Sequence, residues 1–217
     1  MRSLALAAAA ALFVTGAATA TPSDAGRTVF EVTRNGQPFG RHTISVTGAG
    51  DALRAQSEVS MRVAVGPLTV FRLEQSCTEV WADGALSGMS CDTLKDGRRT
   101  RVQAERRDGR LRVTGADGEH WFPLSAMPAS WWTRPAEGAA IINTETGAPM
   151  RVQVTHLGRE TISAGGQRIE AERVRVEGTL AIDLWYDLQG RWVGCAFTAR
   201  GQNIQYRLAS PLSGLPA

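Results

Sequence analysis

The 217-residue sequence contains a single lysine, Lys95, and only three histidines, His42, His120 and His156. With one lysine, no Ser-x-x-Lys nucleophile motif can be written, and no Gly-x-Ser-x-Gly elbow is present either. The histidines are scattered: there is no His-x-His, no His-Glu-x-x-His and no Cys-x-x-Cys, so no local metal-ligand spacing exists. These absences leave no catalytic residue, metal or cofactor to assign, and the reading leans away from an enzyme. After residue 20 no apolar run approaches the roughly 18 residues a spanning helix needs, so an integral membrane protein is not expected. The formal charge is only +3, which excludes a strongly basic nucleic-acid binder and a strongly acidic solvating tail.

What is present begins with a leader. Arg2 precedes an apolar run from Leu4 to Val14, and Ala18-Thr19-Ala20 forms a small-x-small cleavage site. Residues 1–20 read as a cleaved signal peptide. No cysteine follows the cleavage site and no twin-arginine pair precedes the run, so release as a soluble periplasmic protein is expected. Loss of Arg2 leaves 23 basic against 21 acidic residues, a formal charge of +2. About 200 residues can bury roughly 70% of the unfolded surface. With no linker or repeat, 21–217 reads as one domain, with a flexible tail over 210–217.

Turn dipeptides recur at short intervals: Asn35-Gly36, Asp83-Gly84, Asp96-Gly97, Asp108-Gly109, Asp117-Gly118 and Gln189-Gly190, with Gly48-Ala49-Gly50 and Gly165-Gly166. Such pairs supply the positive φ of tight hairpins. Between them lie runs rich in Val, Thr, Ile and Arg, which is the pattern of an antiparallel meander. Strands are expected near 27–34, 37–47, 53–64, 68–82, 86–95, 98–107, 110–115, 149–157, 168–178, 180–187, 191–199 and 202–209. Over 98–107 the residues Arg99, Arg101, Gln103, Glu105 and Arg107 share one face, which is therefore solvated. Residues 123–148 break the pattern. Pro123, Pro128 and Pro135 forbid a long helix there, although Ser130 could cap a short helical turn. A long irregular insertion in a compact domain is more often functional than an ordinary connection is.

Cys77 and Cys91 flank the Asp83-Gly84 turn. If Ala82 pairs with Leu86 around a three-residue loop, the cysteines face each other about 4.5–5.5 Å apart at Cα. That is within disulfide range, and an oxidising compartment favours a bridge. A register slip of one residue would leave two buried thiols instead. Cys195 reads as a small buried hydrophobe.

The remaining residues carry a resemblance. They are Phe30-Glu31-Val32, Asn35-Gly36 with Gly40 and His42, Glu79-Val80-Trp81 with Gly84, Trp131-Trp132 and Asn143-Thr144-Glu145-Thr146-Gly147. Leu184-Trp185-Tyr186-Asp187, Gly190-Arg191-Trp192-Val193, Arg200-Gly201, Ile204 and Tyr206 complete the set. On these residues the chain resembles a family of exported proteobacterial proteins known only as a domain of unknown function. The resemblance covers essentially the whole mature chain and brings no catalytic residues. It implies a fold similar to the curved sheets of periplasmic lipoprotein-carrier and lipid-binding half-barrels.

Three groups of residues could carry function. Glu79, Asp183 and Asp187 lie among apolar neighbours and require partners, for which arginine is expected. From Lys95 to Arg112 eight cations face three acids. Arg98, Arg99, Arg101, Arg107 and Arg110 are therefore candidates for an anionic headgroup or an acidic partner, or else form a solvated face. Trp131 and Trp132 are adjacent on the insertion and point oppositely if extended. The expected fold is all-β: one strongly curved antiparallel sheet, a half-barrel or open barrel, with an irregular or short-helical insertion across its concave face. The expected function is non-catalytic binding of an apolar or amphipathic ligand, such as a lipid, by Trp131, Trp132, Trp185 and Tyr186. The alternative is an accessory protein that docks an envelope partner and takes no small molecule.

Overall fold

The computed structural model describes residues 26–178 and 181–212. The expected signal peptide lies outside the described residues. From Gly26 the chain forms a meander of eight strands: β1 (Gly26–Arg34), β2 (Gln37–Ala49), β3 (Ala52–Val65), β4 (Leu68–Ala82), β5 (Ala85–Lys95), β6 (Arg98–Arg107), β7 (Arg110–Gly115) and β8 (Gly118–Phe122). It then crosses the sheet as a strap carrying three two-residue strands, β9 (Met127–Pro128), β10 (Ile141–Ile142) and β11 (Pro149–Met150). A second meander returns: β12 (Gln153–Ala164), β13 (Gln167–Glu177), β14 (Ile182–Asp187), β15 (Trp192–Ala199) and β16 (Gln202–Leu208).

The strands form one strongly curved, open sheet in the order β12-β13-β14-β15-β16-β1-β2-β3-β4-β5-β6-β7-β8. Every pairing in it is antiparallel. Its edges are β12 and β8, and among the described residues no pairing closes it into a barrel. The strap joins one edge to the other. Meanwhile β16 returns to the middle and pairs with β1, with Phe30 opposite Leu208 and Val32 opposite Tyr206.

The turns follow from the sequence. Asn35-Gly36, Asp83-Gly84, Asp96-Gly97 and Asp108-Gly109 each place two consecutive residues at positive φ, the two-residue geometry that matches strand twist. One detail departs from expectation. Ala82 pairs with Ala85 around a two-residue turn, and the extra residue, Ser87, sits in a bulge between the Trp81–Leu86 and Val80–Gly88 pairs. The bulge restores the register, so Cys77 pairs with Cys91 and the two form a disulfide.

Alternation decides the faces. Val102 and Ala104 of β6 are buried while Arg99, Arg101, Gln103, Glu105 and Arg107 are exposed. The buried rows form two large clusters on the inner face. One gathers Phe30, Ile44, Leu184, Tyr186 and Trp192, and the other Leu86, Val102, Leu111 and Val113 around the disulfide. The strap inserts Met127, Trp131 and Ile141 into the first cluster and Ala126 and Ile142 into the second, so it is part of the core.

The strap contains no helix among its described residues, which corrects the helical turn expected after Ser130. Trp131 takes φ 62°, a left-handed conformation that a bulky side chain rarely adopts and that cannot continue a helix. The strap instead satisfies its backbone through Met127 N–H to Ala140 O (3.0 Å) and Ala129 N–H to Ile142 O (2.9 Å). Asn143 Oδ1 accepts the N–H groups of Glu145 and Thr146 and shapes the next turn. That turn presses on β7: a Cβ at Gly115 would lie 2.2 Å from Thr146 O. The described part of the tail makes hydrogen bonds. Ser210 Oγ accepts Val29 N–H and Leu212 O accepts Arg191 Nη1.

Candidate functional site

The strap is the feature that organises the inner face. Tyr186 of β14 is fully buried, and its hydroxyl donates to Trp131 O at 2.8 Å with Thr133 O 3.3 Å away. Trp131 is itself buried in the larger cluster. These two expected ligand contacts are therefore occupied in anchoring the strap. Trp132 follows this left-handed residue and only partly packs against the same cluster. It is half-buried and donates its indole N–H to Glu79 Oε2 at 2.7 Å. Trp81 donates to the same oxygen at 2.9 Å and packs edge-on against Trp132 with ring centroids 5.5 Å apart.

Glu79 is 1% exposed and has no cation beside it among the described residues. Arginine was expected as its partner; two indoles take that place. Burial raises its carboxyl pKa above the ordinary value, opposed by Ser130, Trp132 and Trp81. Oε1 and Ser130 Oγ each lack a hydrogen-bond partner of normal geometry.

Trp185 neighbours Tyr186 on β14 and so faces the opposite side of the sheet. Its N–H donates to Glu160 Oε1 at 2.6 Å, and the Arg173 guanidinium stands 5.7 Å over its ring. Arg173 and Arg175 both bind Asp183, at 2.6 and 2.7 Å. Desolvation alone would raise the Asp183 carboxyl; hydrogen bonds from Arg175 and Arg173 prevail and lower it. The arginine partner expected for Asp183 is therefore present, and Arg191 supplies one for Asp187. The four expected aromatic contacts do not converge: two are in the core, one lines a cleft and one lies on the far face.

The cleft is at the strap. A cavity of about 450 Å³ opens between the strap and the β3–β5 side, lined by Leu53, Trp81, Met127, Trp132, Arg134 and Ala139. A smaller one of about 200 Å³ lies on the other flank, against Ile44, Arg191 and Trp192. Both share Trp132, Thr133 and Arg134. Arg134 ties this stretch down by an ion pair with Glu172 of β13, which also receives His156 Nδ1 at 2.6 Å. The hydrogen bond from His156 leads in holding the Glu172 carboxyl below its ordinary value.

Two further shifted groups, His42 and Cys195, are buried, and Tyr206 packs against the core. His42 hydrogen-bonds Ser57 at 2.7 Å, contacts Phe30, Trp192 and Tyr206, and has its pKa lowered to about 4 by burial. Burial pushes the Cys195 thiol and the Tyr206 phenol upward, and Cys195 is a buried free thiol.

The five arginines of the basic stretch do not form one patch. The ten residues of β6 set Arg98 and Arg99 roughly 30 Å from Arg107. Arg101 binds Asp92, Arg107 lies 3.8 Å from Asp108, and Arg110 donates to Trp121 O. Arg98 and Arg99 have no carboxylate within 4 Å among the described residues. Residues 98–110 are continuous in sequence, but strand length separates their ends in space.

No helix of the described chain is long and apolar enough to cross a membrane. The fold is similar to the crystal structure of a beta-barrel-like protein of domain of unknown function DUF1849 from Brucella abortus. The TM-score is 0.62 and the identity 10%, covering 85% of this chain and 95% of that one. No curated protein matches the sequence. A family model for the domain of unknown function DUF6134 matches residues 30–209, and the chain belongs to that family.

Proposed function

We propose that this protein is exported to the periplasm and binds a small amphipathic ligand in the cleft beneath the strap. One observation carries the reading: two cavities meet at Trp132-Thr133-Arg134, so one short stretch of strap forms a wall of both. The larger cavity, about 450 Å³, is of the size that holds a drug-sized molecule or one acyl chain. Leu53, Trp81, Met127, Trp132 and Ala139 would contact the apolar part, with Asp51 and Arg134 near the polar end. Trp131 and Tyr186 keep the strap in place and do not touch the ligand.

Native mass spectrometry of protein purified from a periplasm, followed by solvent extraction, tests the reading directly. Titration with N-phenylnaphthylamine and displacement by a fatty acid test it in solution. Trp132→Ala is expected to weaken uptake about ten-fold, as loss of a large aromatic contact does, while Trp185→Ala leaves it unchanged. A clean apo mass with no dye uptake, or equal uptake by Trp132→Ala, would overturn the reading.

A further inference from the structure

β3 and β4 are the longest strands of the sheet, at 14 and 15 residues. Their neighbours do not follow them to the end. β2 pairs with β3 only as far as Met61, and β5 pairs with β4 only from Leu73. Residues 62–72 therefore project as a two-stranded hairpin whose turn is Gly66-Pro67. The end of this projection reads Val63-Ala64-Val65-Gly66-Pro67-Leu68-Thr69-Val70-Phe71, with no charge in nine residues. Val65 and Leu68 are cross-strand partners and are 66% and 65% exposed, and Val70, in the bulge, is 52% exposed. Sheet ends this apolar and this exposed are normally covered or charged.

Cations stand beside the base. Arg62 and Arg72 stand directly opposite each other across the hairpin; like charges so placed repel unless an anion lies between them. Among the described residues Arg62 reaches only the Thr69 hydroxyl, at 3.0 Å. Arg72 binds Glu74 and also meets the next turn, its N–H donating to Asp96 Oδ1 at 2.9 Å. That turn leads into Arg98 and Arg99. Among the described residues Arg62, Arg98 and Arg99 have no carboxylate within 4 Å. Phe39 and Phe71 stack at the level of this collar, with centroids 5.5 Å apart.

We propose that the β3–β4 hairpin docks the protein on a bilayer bearing anionic headgroups, with Val65, Pro67, Leu68 and Val70 entering the interface. The charges are complementary: behind the apolar end stand Arg62, Arg98 and Arg99, which have no carboxylate within 4 Å among the described residues. The dimensions agree as well. Four residues from Arg62 to Gly66 extend roughly 13 Å, enough for the 5–10 Å depth of the interface. They fall far short of the 9–11 residues per strand that spanning requires. This docking goes beyond the cleft reading and does not depend on it.

Flotation with vesicles of phosphatidylcholine, alone or with phosphatidylglycerol added, tests the proposal. The purified protein is expected to float only with the phosphatidylglycerol vesicles, and less as salt is raised. The triple variant Val65→Ser, Leu68→Ser, Val70→Ser changes exposed side chains only, and circular dichroism checks its fold. It is expected to bind at least about ten-fold more weakly, because the transferred apolar area is lost. Leu68→Trp is expected to show blue-shifted emission on binding, quenched by brominated acyl chains. Trp132→Ala should float like the unaltered protein, so the cleft and the tip can fail separately. Equal binding to both vesicle types, equal binding by the triple variant, or no binding to either would overturn the proposal, the last directing the tip to a protein partner.

Discussion

Trp132 on the strap donates its indole N–H to the buried carboxyl of Glu79, 53 positions earlier in the chain, at 2.7 Å. This contact connects the wall of the cleft to the sheet through a titratable group. Its pH dependence has a definite sign. Burial raises the folded-state pKa of Glu79 above 4.5, so the folded state holds the proton more tightly than the unfolded one. The stability it contributes is present in full below the unfolded value and declines as pH rises through the raised folded value. Melting temperature against pH should therefore fall more steeply above 4.5 for the unaltered protein than for Glu79→Gln. Parallel curves for the two would show that Glu79 titrates normally.

The Cys77–Cys91 bridge spans 14 residues. Closing a loop of that length restricts the unfolded chain by about 3 kcal/mol. Cys77→Ala with Cys91→Ala should lower unfolding stability in urea by about that amount. Thiol titration supplies an independent check: none reactive in the native protein, one after denaturation without reductant, and three after reduction, since Cys195 is buried and free. A peptide joining Cys195 to either of the others would contradict the hairpin register.

Tyr186→Phe removes one hydroxyl and leaves the Trp131 and Thr133 carbonyls without their donor. The expected cost is about 1–2 kcal/mol, read by chemical denaturation. Trp131→Ala should cost about 3–5 kcal/mol, because it empties a core position. A near-neutral Trp131→Ala would mean that the strap lifts as a unit and does not belong to the core.

Arg134 binds Glu172 across the strap, and both side chains are partly open to water. Arg134→Ala is expected to change global stability by less than about 1 kcal/mol. Its effect should appear locally instead, as faster proteolysis between Pro128 and Ala140 at unchanged melting temperature. Equal cleavage rates would show that Tyr186 and Glu79 hold the strap unaided.

Much of the sheet was legible because its turns are spelled out. Asn35-Gly36, Asp96-Gly97 and Asp108-Gly109 each fixed where a strand ends, and alternation fixed which side faces in. The Cys77–Cys91 pairing was legible for a less direct reason. A three-residue loop and a two-residue loop followed by a bulge at Ser87 advance the register equally, so sequence distinguishes neither while pairing the cysteines correctly. Strand β8 was missed because it is only five residues long, Gly118 to Phe122. The end of β12 was missed because Leu157 bulges out before Gly158. The site was less legible. Trp185 and Tyr186 are adjacent on one strand, so alternation already separated them. The partner of Glu79 depends on a strap that meets β4 only in three dimensions, and no local pattern announces two indoles on one carboxyl.

The seam between β1 and β16 has a kinetic consequence. Val29 N–H and Ser210 Oγ meet across 181 positions of chain, so one side of β1 stays open until nearly the whole sequence is available. A chain delivered from its N-terminus can form β1 to β8 early, since each hairpin closes a short loop. Its central strand then presents a free edge for the duration of delivery, and such edges recruit other chains. The rate of maturation should be set by arrival of β16 rather than by any hairpin, as expected when long-range pairing dominates. Yield in the cell then depends on how long that edge waits.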